Sequence, residues 1–367
     1  MPEFRAAVSR SAGQPYTIET VTGSDLRPDE VLVRVVAAGM CHTDMVAREP
    51  NSGLSLAPVI LGHEGSGVVE AVGSSVIRVV PGDHVILSFD SCGKCSACLG
   101  GEPAYCAEFP LRNVSGRRPD GTGAVTDADG HGLAHRWFGQ SSFAEYAWAT
   151  ERNVVVVPKD LPLELLGPLG CGLQTGAGAV LNEMKPWPGS RVAVFGAGAV
   201  GLAALMAAKV AGAGEIVAVD LKQSRLDVAR ELGATRTVLA DDPDLVEAVR
   251  GGDGPEDGMD YAVDTTAVTS AISATIAVLR RRGEAVFLGV GRGMLEIAPG
   301  QLNGRKATFV NLGGGVPQVF VPRLIELWRH GRFPFDKLVR TYPLDDINTA
   351  EADSLSGATV KPVLLIG

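Results

Sequence analysis

Between Arg191 and Leu288 the chain alternates short β-branched runs with stretches of helical character, and this rhythm constrains the fold more than any other feature. Arg191–Phe195 reads as a buried strand, Leu202–Ala211 as a helix of small apolar residues, Glu215–Val219 as the next strand and Ser224–Leu232 as the next helix. Tyr261–Asp264, Ala271–Arg281 and Glu284–Leu288 continue the pattern as strand, helix and strand, and Ala307–Leu312 reads as a last strand. Strands that alternate with helices imply an α/β doubly wound parallel sheet covered on both faces. The N-terminal part has another texture. Val31–Val36, Gly67–Val72 and Val85–Leu87 are short runs between turn residues and read as strands of a β-rich domain. The stretch from Arg112 to Gly132 is rich in Gly, Arg and Asp and reads as a long surface loop. Pro322–His330 reads as a helix, and the chain closes on the apolar run Val363–Ile366.

The first strand of the alternating region runs into Gly196-Ala-Gly198-Ala-Val-Gly201, a G-x-G-x-x-G loop that opens the following helix. In that context the first glycine makes the tight turn, the second admits a pyrophosphate to the backbone, and the third packs helix on strand. The helix N-terminus supplies unpaired N–H groups and the positive end of its dipole. Asp220, roughly 20 residues on, ends the next strand where a carboxylate would accept hydrogen bonds from an adenosine ribose. A 2'-phosphate would be repelled there, which favours NAD over NADP. Arg225, in the following helix, is a further candidate cofactor contact. The plainer reading is a packing turn with an incidental aspartate.

All six cysteines find a place in two metal sites. Cys92, Cys95, Cys98 and Cys106 form C-x2-C-x2-C-x7-C, close enough for one loop to wrap a tetrahedral zinc with four thiolates. Such a closed site is structural; a redox pair is the competing reading of any C-x2-C. Cys41 and Cys171 stand far apart, with His63 between them in sequence. Two cysteines and one histidine make an open, three-ligand site of the catalytic kind. Asp44 and Glu64 are candidate outer groups that would orient the ligating histidine, and Thr43 offers a hydroxyl beside the metal. Thiolate ligands that must stay reduced favour the cytoplasm.

Charge and hydropathy exclude other classes. A net charge of -9 with no basic run argues against a nucleic-acid surface. The start, with Glu3 and Arg5, is not a signal peptide, and the longest apolar stretch, Val192–Ala208, is short for a membrane span and interrupted by glycines.

With these residues in hand the chain resembles the zinc-dependent medium-chain alcohol dehydrogenases over essentially its whole length. Gly62-His-Glu-Gly-Ser-Gly-Val-Val-Glu-Ala-Val-Gly73 is similar to that family's zinc signature, and the four-cysteine lobe, the glycine loop and Gly170-Cys-Gly-Leu-Gln-Thr175 follow in the family's order. Gly39-Met-Cys-His-Thr-Asp-Met45, Phe138-Gly-Gln-Ser-Ser-Phe143 and Ser356-Gly-Ala-Thr-Val-Lys-Pro362 resemble the bacterial aryl- (benzyl-) alcohol dehydrogenases. The resemblance implies a GroES-like catalytic domain over residues 1–172 and 316–367 and a Rossmann NAD-binding domain over 173–315. It implies NAD and two zinc ions per subunit, the catalytic one on Cys41, His63 and Cys171. It implies that Thr43 takes the alcohol proton, that Thr175 packs near the nicotinamide, and that His42 and Lys361 contact the pyrophosphate. Trp137, Phe138 and Phe89 fall where pocket-lining residues lie, although ordinary core packing explains buried aromatics equally well. The strand after Arg305 is similar to the edge through which the family's nucleotide domains pair, which implies a homodimer or homotetramer. One position departs: many members carry a histidine five residues after the first zinc cysteine, and here that residue is Val46.

The expectation is therefore reversible, NAD-linked oxidation of a primary, aromatic alcohol to the aldehyde, in a cleft that excludes water. A thiol-adduct formaldehyde dehydrogenase on the same scaffold is the alternative, since Arg112, Arg117 and Arg118 could line a cationic pocket. A non-catalytic NAD-binding protein is the reading from another class, and intact ligands argue against it.

Overall fold

The computed structural model describes residues 2–367 except Ser55, Asp253, Pro255, Glu256, Val290 and Arg292. The chain forms two compact units: Met1–Cys171 with Val316–Pro322 and Asp336–Gly367, and Gly172–Gly315 with Arg323–Phe335.

In the second unit six parallel strands form one sheet: β1 (Arg191–Phe195), β2 (Glu215–Asp220), β3 (Arg236–Leu239), β4 (Met259–Asp264), β5 (Leu279–Phe287) and β6 (Lys306–Phe309). Their spatial order is 3-2-1-4-5-6, the dinucleotide-binding order of the doubly wound fold. The central strands are buried, as a sheet covered on both faces requires: every residue of β4, and all of β1 but Arg191. The helix expected over Ala271–Arg281 ends early. It spans Thr269–Ala277, and Leu279, fully buried and in register with Met259, already belongs to β5. Likewise β6 stops at Phe309 instead of running to Leu312, because Leu312–Gly314 turns with Gly313 at φ 73°.

The first unit holds two sheets. In one, the order is Val154–Val157, His84–Leu87, Gly65–Val72, Glu30–Gly39, Lys361–Leu365, Val339–Pro343, with Tyr146–Thr150 also paired to Glu30–Gly39. Lys361–Leu365 joins antiparallel to Glu30–Gly39, so the C-terminal strand completes an N-terminal sheet. The second sheet runs Val59–Ile60, Glu3–Ser9, Thr17–Gly23, Val125–Thr126, Gly132–Leu133 around a core that includes Phe4, Val21, Leu133 and Trp148.

Two expectations change. Arg323–Phe335 groups with the nucleotide-type unit rather than with 316–367 as a whole; Arg332, for example, donates to the carbonyl of Val210 at 3.1 Å. The segment 112–132 is not a free surface loop. It contributes the hairpin strands just named, and Arg118 is buried against Glu30 with two bonds of 2.7 Å. Composition hid this, since a buried arginine needs a carboxylate that lies 88 positions away.

Among the described residues no helix is long and apolar enough to cross a membrane.

Candidate active site and its metal centres

Cys41, His63 and Cys171 come from three separate segments of the first unit, and their ligand atoms lie within 4.8 Å of one another. Cys41 precedes the short helix His42–Arg48, His63 precedes the strand Gly65–Val72, and Cys171 follows the turn Gly167–Gly170. Asp44 ties two of these segments together. Its Oδ1 accepts from His63 Nδ1 at 2.8 Å and from the Gly62 N–H at 3.1 Å, and its Oδ2 accepts from the Cys41 N–H at 3.2 Å. With Nδ1 donating to the carboxylate, the neutral ring that binds a metal has its lone pair on Nε2, beside the two sulfurs. That Nε2 is buried and has no hydrogen-bond partner among the described residues. A hydrogen bond with Cys171, and then the neighbouring His63 and Lys361, hold the Cys41 thiol well below its ordinary range. The same bond and burial push Cys171 up. An unpartnered buried imidazole nitrogen beside a thiolate and a second sulfur is the donor set of a zinc ion that keeps one position open.

Glu64, next to His63, is fully buried and paired with Lys361. Lys361 donates to Glu64 Oε2 at 2.8 Å, to Oε1 at 3.1 Å and to the Met40 carbonyl at 3.0 Å. Burial pushes the Glu64 carboxyl up to about 7, against the pull of the ammonium. Lys361 is 3% exposed, with its ammonium held by Glu64 and the Met40 carbonyl. Thr43 Oγ1 lies 3.8 Å from Cys41 Sγ, and His42 is exposed at the start of the same helix.

The aromatic candidates surround the histidine. Phe138 stacks on His63 with centroids 4.5 Å apart and planes at 25°. Phe109 meets Phe138 at 6.1 Å and Phe89 at 6.0 Å. Trp137 is 1% exposed and donates through Nε1 to Asp44 Oδ1 at 2.9 Å. Sequence reasoning missed Phe109 and Gln140. Three residues after the last lobe cysteine, Phe109 carried a positional signal; Gln140, within a motif already noticed, gave no sign that its amide holds the histidine's backbone.

The four sulfurs of Cys92, Cys95, Cys98 and Cys106 also lie within 4.8 Å of one another. Backbone N–H groups of Lys94 and Cys95 reach Cys92 Sγ at 3.5 and 3.3 Å, and Cys92 N–H reaches Cys106 Sγ at 3.2 Å. The backbone N–H of Ala107, with that of Cys98, brings Cys95 down to about 6. Amides aimed at sulfur prepare thiolates for a metal and leave no open position.

In the second unit the glycine loop has the geometry its spacing implied. Gly196 sits at φ 91°, and a Cβ there would lie 2.5 Å from Thr265 Oγ1. A Cβ on Gly201 would meet the Gly196 carbonyl at 1.7 Å, whereas one on Gly198 would meet nothing within 4 Å. The middle glycine therefore leaves open space above the helix Ala199–Ala211. Asp220 Oδ2 accepts from the Ala197 N–H at 2.7 Å, and beside it opens an apolar cavity of about 290 Å³ lined by Val219, Leu221, Ala240, Leu245, Val268 and others. Arg225 is buried, which lowers its pKa against the opposing charge of Asp220. Thr175 is buried in the helix Gly172–Gly178 of this unit.

Fold, cysteine sites and glycine loop together define a zinc-binding dehydrogenase. Residues 27–159 match the alcohol dehydrogenase GroES-like domain and 199–328 the zinc-binding dehydrogenase domain; the chain belongs to the zinc-dependent medium-chain alcohol dehydrogenase family. It is 42% identical to a geraniol dehydrogenase of Castellaniella defragrans over 98% of this chain and 97% of that one. The crystal structure of an alcohol dehydrogenase zinc-binding domain protein from Burkholderia ambifaria superposes with a TM-score of 0.95 at 48% identity, covering 100% and 99% of the two chains. That of benzyl alcohol dehydrogenase from Acinetobacter calcoaceticus gives 0.95 at 42% identity over 100% of both.

Proposed function

We propose that this protein catalyses the reversible, NAD-linked oxidation of primary alcohols that carry an aromatic or comparably flat, unsaturated group. The observation that carries the reading is the aromatic surface at the three-ligand site: Phe138 lies against the ligating His63 and Phe109 and Phe89 extend the wall. The relatives named for benzyl alcohol and geraniol favour the same substrates.

Cys41, His63 and Cys171 would hold a zinc that supplies Lewis-acid chemistry at an alcohol oxygen, with NAD as hydride acceptor. Thr43, whose Oγ1 lies 3.8 Å from Cys41 Sγ, would take the alcohol proton. Val46, on the same helix, has no acceptor to pass it on, so it leaves to water or to the exposed His42. In the other unit Gly196, Gly198 and Gly201 would cradle the pyrophosphate, Asp220 the ribose, and the apolar cavity beside it the adenine. Thr175 is assigned to the nicotinamide end. The Cys92 lobe would hold a second, structural zinc. Reduced thiolates favour the cytoplasm. The bare, solvent-facing β6, with Phe309 half-exposed, suits pairing with a second copy.

The thiol-adduct alternative loses ground. Arg112 is engaged by Glu108 and Asp90, and Arg118 by Glu30, so two of its three arginines are neutralised inside the fold.

The test is NADH formation by zinc-loaded protein on benzyl, cinnamyl and aliphatic alcohols, and on formaldehyde with and without a thiol, with NADP as control. Preference for the aromatic alcohols is expected. Turnover of formaldehyde plus thiol alone would replace this reading, and a Cys41→Ser variant that still turned over would remove the ligand assignment.

A further inference from the structure

The residues that support His63 extend one step beyond Asp44, to a backward-bent turn at 137–141. Phe138 sits at φ 52° and Ser141 at φ 55°, with Gly139 at φ 70° between them. For residues other than glycine that conformation is strained, and it persists only where surrounding contacts over-determine it. The contacts are present. The Trp137 N–H donates to Ser141 Oγ at 2.9 Å, and Ser141 Oγ donates to the Ile60 carbonyl at 2.6 Å. Gln140, fully buried, donates through Nε2 to the His63 carbonyl at 2.9 Å and the Ser88 carbonyl at 3.1 Å, and its Oε1 accepts from the Gly65 N–H at 3.0 Å.

The bent turn thus reaches His63 from three sides. Phe138 covers the ring face, Gln140 grips the peptide groups on either side of Glu64, and the Trp137 indole shares Asp44 Oδ1 with His63 Nδ1. An indole N–H is a donor only. Without it, a fully buried carboxylate oxygen loses one of three donors, and Asp44 gains freedom to rotate away from the imidazole.

We propose that the turn Trp137–Ser141 is the positioning element of the metal-binding imidazole, with the Trp137 indole N–H acting through Asp44 and Gln140 acting through the backbone of His63. Trp137 is then a positioning residue and not a substrate contact. This rests on the reading that Cys41, His63 and Cys171 hold the metal. The expected scale is that of outer groups at metal sites, where removal costs roughly 10–100-fold in metal affinity.

The experiment uses the full chain loaded with cobalt(II). The visible absorption that Cys41→Ser abolishes identifies the three-ligand site; if Cys41→Ser abolishes none, the metal assignment itself fails and takes the proposal with it. Within that band, Trp137→Phe and Gln140→Met are compared with the parent for band position and for the rate of cobalt transfer to a chelator. A shifted band and a transfer rate raised about tenfold or more are expected. An unchanged band and rate, with a raised KM for benzyl alcohol, would overturn the proposal and make Trp137 a pocket wall. If Trp137→Phe does not fold, Gln140→Met decides by the same two readouts.

Discussion

Glu64 and Lys361 stand 297 positions apart and form a buried ion pair at 2.8 Å, which locks the C-terminal strand to the segment that carries His63. Neither partner can reach water, so the pair is more informative when one member is removed. Lys361→Met strands a carboxylate and should destabilise the chain by about 3–5 kcal/mol, as should Glu64→Gln, which strands the ammonium. The double variant Glu64→Gln/Lys361→Met should recover part of that loss. Urea unfolding of the three variants measures it; additive losses would show that the two groups do not act as a pair.

His135 gives the fold an acid limit. Burial first, and then the charge of Arg136, push its pKa down to about 3. The unfolded chain takes the proton near pH 6.5, so between there and 3 it binds more protons than the folded one. Stability should be whole above about 6.5 and fall as pH drops through this window, by up to about 1.4 kcal/mol per pH unit. His135→Phe, which keeps an aromatic edge against Trp148, should flatten the slope. An unchanged pH profile of thermal unfolding would assign the acid limit elsewhere.

Asp220 binds the Ala197 N–H as well as facing the proposed ribose position. Asp220→Gly should therefore weaken NAD at least tenfold, about 1.4 kcal/mol, while NADP weakens less or gains. Nucleotide fluorescence titrations check this. Equal losses for both would mean that the carboxylate only shapes the loop.

The four-sulfur lobe should carry its own metal. Cys106→Ser should lower the zinc content from two ions per chain to one by elemental analysis, with the cobalt band of the three-ligand site intact. Loss of both metals together would show that the two sites are not independent.

If β6 is the self-association edge, Phe309→Glu should lower the oligomeric state seen by sedimentation. The substitution puts a charge on a strand whose four residues are all exposed. A sedimentation coefficient equal to the parent's would place the contact on another face.

Much of the second unit was legible because its signals are local. Strand, glycine loop and helix lie within Arg191–Ala211; a side chain at Gly196 or Gly201 would clash, while Gly198 faces open space. The lobe cysteines were legible for the same reason. What the sequence concealed depends on distant partners. Lys361 looks like a surface cation until Glu64 is beside it, and Arg118 looks like loop composition until Glu30 is found. Nothing in a linear pattern shows that the Trp137 N–H meets Asp44, 93 positions earlier. The helix drawn to Arg281 failed on a local ambiguity: Val278 and Leu279 suit a buried helix end and a buried strand start equally well.

The spacing of the two cysteine sites also sets an order on folding. The lobe closes a loop of 14 positions between Cys92 and Cys106. Cys41 and Cys171 are about 130 positions apart, and closing that longer loop costs roughly 2 kcal/mol more in chain entropy. The lobe can therefore capture its ion from a largely unfolded chain. The three-ligand site exists only once the distant segments carrying Cys41, His63 and Cys171 have met, so metal added early templates the one and has to wait for the other.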